Sequence, residues 1–404
     1  MIRLFINGLA ASAGGGLTYL RNAIPVLARR DDVHTTVLLS AALRREFAEG
    51  RNLSLVEISD SDGALRRLAR EQIAIPGLIR RSGAQVLVSA GNFALWNSPV
   101  PQILLSRNSL YTSADFMRDV EDRGDYAIWS DTLVKSWLAR QSIGCSDVTV
   151  APSDAFAREL SAWSGREVVA IHHGFDAGAF NKNGSPLSQD VRAQIDDGRD
   201  AIRLLFVSHY NYYRNFETLF RALPVLSRHM KVRHAKKKRL KLYLTCRLST
   251  GENPGTYQTE EARSLLNGLR REGLSGNCEI IELGATPYSS LHQLYRACHA
   301  YVTPAYAESF AHPLVEAMSS GLPVVASDLP VHREICGNAA LYFPRFSPDE
   351  LAECVFRLCE SPEVARELST NGLRRSQDFS WERHVSQMLA LAGNLVRERA
   401  ERRD

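Results

Sequence analysis

The 404-residue chain has little that would staple or anchor it. Its seven cysteines, Cys145, Cys246, Cys278, Cys298, Cys336, Cys354 and Cys359, are odd in number and contain no C-x-x-C pair. That spacing argues against a disulfide framework and against a zinc site, and it fits a reducing, cytoplasmic compartment. No uninterrupted apolar run reaches the ~18 residues of a membrane span. The opening MIRLFING enters a strand pattern without the basic region, long apolar stretch or small-residue cleavage site of a secretory signal. Excess charge is small, a net +4, which by itself predicts no nucleic-acid partner. No short-period repeat is present. The one biased stretch, KVRHAKKKRLK at 231–241, lacks interleaved aromatics and reads as a solvated loop, with anionic lipid as a secondary partner.

What is present is an alternation of short apolar runs with helical patterns. Strands are expected at 2–8, 35–40, 53–58, 85–90, 102–107, 147–153 and 168–174. After a polar stretch at 185–200 the pattern restarts, with strands at 202–208, 240–246, 279–284, 300–305 and 323–328. Strand–helix alternation predicts parallel sheets covered on both faces. The length suits two or three domains. The expectation is two doubly wound domains at 1–185 and 200–375, joined near 175–200, and a terminal amphipathic helix and tail at 376–404. Ligands of such sheets bind beyond the carboxyl ends of the strands, so a cleft between two facing domains is the expected site.

The stretch ESFAHPLVE, 308–316, lies between an expected strand at 299–304 and an expected helix at 313–320. Pro313 suits the first helical position, where its missing N–H is not needed. The start of that helix favours an anion such as phosphate. Carboxylates would repel a phosphate, so Glu308 and Glu316 must serve something else, and hydroxyl donors fit them. A nucleotide sugar satisfies every part, with Glu316 on the ribose and Glu308 on the sugar. The spacing alone fits equally well with two acids that complement a helix dipole.

Other residues can be placed by their chemistry. Gly14, Gly15 and Gly16 stand between the first strand and first helix, where backbone can approach a diphosphate or adopt positive φ. Arg214, in HYNYYRNF, can clamp phosphate oxygens with a forked, permanently charged group. Arg107 and Asn108 end a first-domain strand. Asp60 and Asp62 form a D-x-D, but they sit before a helix and read as a cap rather than a metal site. Trp129, Leu133 and Trp137 recur at helical spacing near Lys135 and Arg140. Core packing is the stronger expectation for them, and a membrane-facing stripe the weaker.

The segment ESFAHPLVEAMSSGLPVVASDLPVHREICGNAALYF resembles the E-x7-E segment of glycosyltransferase family 4, retaining enzymes of the GT-B fold. FVSHYNYYRNFETLFRAL resembles the opening of that family's second domain, and GGGLTYL its first glycine-rich loop. APSDAFAREL, HHGFD and FSWERHVSQML resemble its domain-closing elements and its terminal helix. The resemblance implies two Rossmann-like domains facing a central cleft, with the last helix crossing back to the first domain. It implies Glu308 and Arg214 as catalytic residues. Donor contacts would come from Glu316, Ser309, Phe310, Ala311, Gly15, Gly16, His209 and Gly284, the last near the nucleobase. Family members usually carry two basic residues after the strand, whereas here the first position reads Ser208-His209. Many relatives also place a histidine near Arg107 and Asn108, which remain acceptor-side candidates without it. His172 and His173 lie in the interdomain turn, where hinge or packing is the stronger reading.

The implied activity is metal-independent, retaining transfer of a hexose from a nucleotide-diphosphate sugar to a glycan or lipid-linked acceptor. Bacterial surface polysaccharide assembly is the expected setting, cytoplasmic or peripheral at the inner face of the membrane. No cofactor, metal or nucleic acid is expected. A same-fold phosphorylase or epimerase, and a non-catalytic GT-B-like binding protein, are the alternatives.

Overall fold

The structure, a computed structural model, describes residues 1–10, 14–58, 64–182, 184–197, 201–209, 211–232, 239–248, 260–271 and 278–402. The chain forms two compact units. Unit 1 comprises Met1–Thr112, Trp129–Gly174 and Phe379–Asp404, and unit 2 comprises Ser113–Ile128 and Phe175–Asp378. Asp60, Asp62 and residues 233–238 of the basic run lie outside the described residues.

Unit 1 holds seven parallel strands, β1 (Ile2–Asn7), β2 (Val33–Ser40), β3 (Leu53–Ile58), β4 (Val86–Ser89), β5 (Gln102–Leu105), β6 (Val148–Ala151) and β7 (Val168–Ala170). Their order is β3-β2-β1-β4-β5-β6-β7. The strand order therefore reverses direction at β1 and β4, with Ile6 beside Val37 on one side and Val88 on the other. Strands such as VLVS and QILL are buried throughout, as a sheet covered on both faces requires.

The terminal helix Trp381–Glu401 belongs to unit 1. It buries Trp381, Val385, Met388, Ala392 and Leu395, a helical stripe that joins Leu20, Ile24 and Leu27 in the core. The helix start presses on the turn after β7, where a Cβ on Gly174 would lie 2.1 Å from the Trp381 nitrogen. His173 is buried there, its ring 5.6 Å from those of Tyr19, Trp381 and His384.

Unit 2 holds six parallel strands, β8 (Ala201–Phe206), β9 (Arg239–Leu244), β10 (Cys278–Glu282), β11 (Ala300–Thr303), β12 (Val324–Ser327) and β13 (Ala340–Phe343). Their order is β10-β9-β8-β11-β12-β13, so the reversal falls between β8 and β11. One large core gathers Phe206, Phe216, Phe220, Leu242, Val302 and Phe343.

Three expectations need correction. The glycine run is not a loop: it forms the first turn of the helix Gly14–Ala28, and neither Gly15 nor Gly16 has positive φ. The stripe on helix Tyr126–Cys145 is not core: Leu133 is 42% and Trp137 59% exposed, and Trp129 is half-buried. The basic run does not end in a solvated loop, since Lys241 is buried in β9 and pairs with Asp197 and Glu279.

Candidate functional site

The carboxyl ends of β8 and β11 sit side by side, and each leads into a loop that carries one charged residue. After β8 the chain makes a 3-10 turn, Tyr212–Arg214, closed by Asn215 in the left-handed conformation at φ 54°. Asparagine tolerates that conformation better than most side chains. Its amide donates to Pro304 O at 3.0 Å and to Arg345 O at 2.7 Å, and its oxygen accepts from Thr218 N at 3.3 Å. Tyr306 N donates to Tyr213 O at 2.9 Å. These bonds lock the loop after β8 to the loop after β11, and Arg214 Nη1 donates to Glu308 Oε1 as a result.

The pair is largely buried, with side-chain exposures of 19% for Arg214 and 11% for Glu308. Burial works against the Arg214 charge, but Glu308, Tyr213 and Tyr301 outweigh it and hold the guanidinium above its usual pKa. The guanidinium also stacks on the Tyr213 ring at 4.7 Å. Its Nε is buried and has no hydrogen-bond partner among the described residues. An orphaned cationic donor of this kind is costly unless an anion arrives to meet it.

From Glu308 the chain turns into helix His312–Ser319 through Ala311 at φ 66°, ψ 66°, a conformation that strains a residue with a Cβ. No side chain caps this helix, and Pro313 falls at its second position rather than its first. One turn on, Glu316 is 6% exposed and accepts from Tyr295 Oη at 2.8 Å. Burial pushes its pKa up to about 7, against the Tyr295 bond, which lowers it. Tyr301, buried on β11, connects the three: burial raises its pKa most, and the charges of Arg214, Glu308 and Glu316 all act on it. Arg214, Glu308 and Glu316 therefore share one electrostatic site.

His209 lies exposed nearby, its pKa lowered first by the surrounding protein and then by the Arg214 charge. It is largely neutral at pH 7, so Arg214 is the permanent cation of this loop. Ser309 is half-buried and Phe310 buried in the turn between Glu308 and the helix. Gly284 follows β10 at φ 77°, where a Cβ would come within 2.9 Å of Arg247 Nε.

In unit 1, Arg107 follows β5 and donates to Gly15 O at 3.2 Å and to Ala90 O. It also lies 5.3 Å from the Tyr19 ring centroid. Burial lowers its pKa to about 10. It joins the chain after β4 to the start of the first helix. Asn108 caps the 3-10 turn Ser109–Tyr111, accepting from Leu110 N at 3.1 Å. Gly15 is exposed, with nothing among the described residues within 4 Å of a Cβ placed there, and Gly16 is half-buried.

Sequence reasoning missed Tyr295, Tyr301 and His332. His332 is fully buried, with Nδ1 2.8 Å from Ser327 O and Nε2 without a partner among the described residues. Burial lowers its pKa, and the charges of Glu308 and Arg214 both act on it. The signal was PVHREI, in which a histidine interrupts an apolar helix start.

Residues 189–375 match the family model described as glycosyl transferases group 1. The O-antigen chain mannosyltransferase B of Escherichia coli is 31% identical over 107 residues, 26% of this chain and 28% of that protein. The chain spans less than two thirds of the length of the curated relatives it matches. The sucrose-phosphate synthase of Thermosynechococcus elongatus superposes with a TM-score of 0.73 at 18% identity, covering 98% of this chain and 99% of that one. Anabaena HepE in complex with UDP and glucose superposes with a TM-score of 0.69 at 17% identity, covering 98% and 100%. The fold is thus that of the GT-B glycosyltransferases, and the match to the glycosyl transferases group 1 model is confined to residues 189–375, within unit 2.

Proposed function

We propose that this chain is a retaining, metal-independent glycosyltransferase that moves a hexose from a nucleotide-diphosphate sugar to a glycan or lipid-linked acceptor, in bacterial surface polysaccharide assembly. The observation that carries the reading is the Arg214/Glu308 pair at the reversal point of unit 2, with Arg214 Nε buried and, among the described residues, unpartnered. The helix start at 312 is uncapped, and its dipole favours the same anion. The likeness to a protein that holds UDP and glucose, and the partial match to an O-antigen mannosyltransferase, support the donor and the setting.

In this reading the diphosphate meets Arg214 and the main chain of Ser309, Phe310 and Ala311. As the sugar–phosphate bond breaks, negative charge develops on the leaving diphosphate, and fixed cationic and main-chain donors stabilise it without reorganising. Glu316 accepts the ribose hydroxyls. Glu308 accepts sugar hydroxyls, and its charge favours an oxocarbenium-like transition state. The acceptor's proton passes to a donor phosphate oxygen, so the new bond forms on the face that the leaving group vacates. Gly284 lies near the nucleobase and His209 donates a neutral hydrogen bond. Arg107 and Asn108 serve the acceptor side, with Arg107 acting also through the Gly15 carbonyl it holds.

The test is to incubate the protein with UDP-, GDP-, dTDP- and ADP-hexoses and an acceptor mixture, with and without EDTA. Nucleotide release is followed, and the product's anomeric configuration is read by proton NMR. Retention with one donor, unaffected by EDTA, is expected. Inversion, loss of turnover with EDTA, or turnover that requires orthophosphate would refute the reading.

A further inference from the structure

The segment Ser113–Ile128 leaves unit 1 in the chain, packs within unit 2, and returns to unit 1 at Trp129. Its helix Ala114–Asp122 starts on a Ser113 cap, with Ser113 Oγ accepting from Phe116 N at 3.2 Å. Phe116 and Val120 are fully buried, so the segment is a packed element and not a passing loop.

Its polar residues converge on the two loops of the candidate site. Asp125 accepts from Tyr212 Oη at 3.0 Å, and Tyr212 is two residues from Arg214. Asp119 accepts from Tyr306 Oη at 2.6 Å, and Tyr306 is two residues from Glu308. Arg123 lies between them. It pairs with Asp119 at 2.8 Å and with the buried Glu217 at 3.3 Å, and stacks over the Tyr212 ring at 5.2 Å. Asp115 pairs at 2.6 Å with Arg345, whose carbonyl accepts from Asn215. Both phenols stay protonated well past neutral pH, Tyr212 because burial raises its pKa to about 12 with Asp125 adding to the effect, and Tyr306 because burial and Asp119 raise it further. Each tyrosine is therefore a dependable donor to its aspartate.

We propose that Ser113–Ile128 is a strap that positions the Arg214/Glu308 pair, with Asp125 holding the first loop through Tyr212 and Asp119 holding the second through Tyr306. This rests on the transferase reading of that pair. Neither aspartate touches the pair itself. Each sets a tyrosine two residues away, and the Tyr306 N to Tyr213 O bond ties the results together. The strap thus fixes the distance between a cation and a carboxylate that must act on one donor molecule, where misplacement by about 1 Å can cost roughly 10²-fold in rate.

The test uses the full chain as the Tyr212→Phe/Tyr306→Phe double variant, which keeps both rings and removes only the two hydroxyls. Asp119→Asn, which keeps an acceptor for Tyr306, is the conservative control. Amide hydrogen exchange reads the loops directly. The double variant should exchange at least tenfold faster at 211–215 and 305–311, with β8 and β11 unchanged, and Asp119→Asn should stay near wild type. In turnover assays with the best donor, kcat should fall at least tenfold while the Kd for the matching nucleoside diphosphate changes less than threefold. Unchanged exchange in the loops, or faster exchange that extends equally to β8 and β11 with a binding stoichiometry that falls in step with kcat, as a general loss of folded protein gives, would overturn the strap. Faster exchange in the loops of a protein that turns over no donor would instead keep the strap and refute the transferase reading.

Discussion

Glu316 and Glu308 are two carboxylates in one site with different surroundings, and the difference predicts different failures. Glu308 is held by a guanidinium, whereas Glu316 is buried with one phenol as its partner. Glu316→Ala should mainly weaken nucleotide binding, by about tenfold or more, as expected for lost charge-assisted hydrogen bonds. Glu308→Ala should mainly lower kcat, by about 10²-fold. Titration of UDP or the matching nucleotide by calorimetry, beside steady-state kinetics, separates the two. A pH dependence follows from the Glu316 pKa of about 7. Its ionised form accepts ribose hydroxyls, so affinity should fall as pH drops below about 7, by up to about tenfold per unit. The Glu316→Gln variant should bind more weakly at pH 8 and lose that slope. Both acids and Arg214 were singled out in the sequence through the resemblance their segments carry, since the spacing alone fits a helix-dipole role equally well. Tyr295 and Tyr301 were not, because their importance comes from burial beside those charges, which their own sequence neighbourhoods do not mark; His332 left one trace, a histidine interrupting the apolar helix start PVHREI.

Among the elements, the strands were read well where apolar runs are long and bounded by polar turns, as in IRLLFVS and QVLVSA. The last strand, Ala340–Phe343, was missed, although the turn Gly337–Ala339 with its Asn338 marks a break before it. The glycine run was misread because glycine disfavours helix, yet here the helix continues through three of them, carried by the apolar stripe that follows. The strap at Ser113–Ile128 had no signal at all: its charges look like an ordinary solvated helix face until the tyrosines they meet are in place. The HHG turn, by contrast, was visible as a motif, and its glycine has a steric reason. Gly174→Ala would drive a Cβ into the main chain at Ser380 and Trp381. The expected cost is about 1–3 kcal/mol or more, since backbone must move to relieve it. It should appear as a lower midpoint in urea unfolding, whereas Gly15→Ala, which meets open space, should leave the midpoint nearly unchanged.

At the scale of the molecule, two parallel sheets each reverse strand order once, and in unit 2 the charged loops follow the strands at that reversal. That topology could be foreseen from strand–helix alternation and from the restart of the pattern near residue 200. The division of the chain between the units could not, because it depends on where Ser113–Ile128 and Phe379–Asp404 pack rather than on where they fall in sequence. The central claim is that the Arg214 site binds a nucleoside diphosphate without a metal. The measurement that tests it most directly is thermal unfolding with UDP, GDP, dTDP and ADP, each with and without EDTA, for wild type and Arg214→Ala. A ligand at a hundred times its dissociation constant stabilises the folded state by about 2.7 kcal/mol. The account predicts a raised midpoint with one nucleotide, unchanged by EDTA and lost in Arg214→Ala. No shift with any nucleotide at millimolar concentration, or an equal shift in Arg214→Ala, would contradict it.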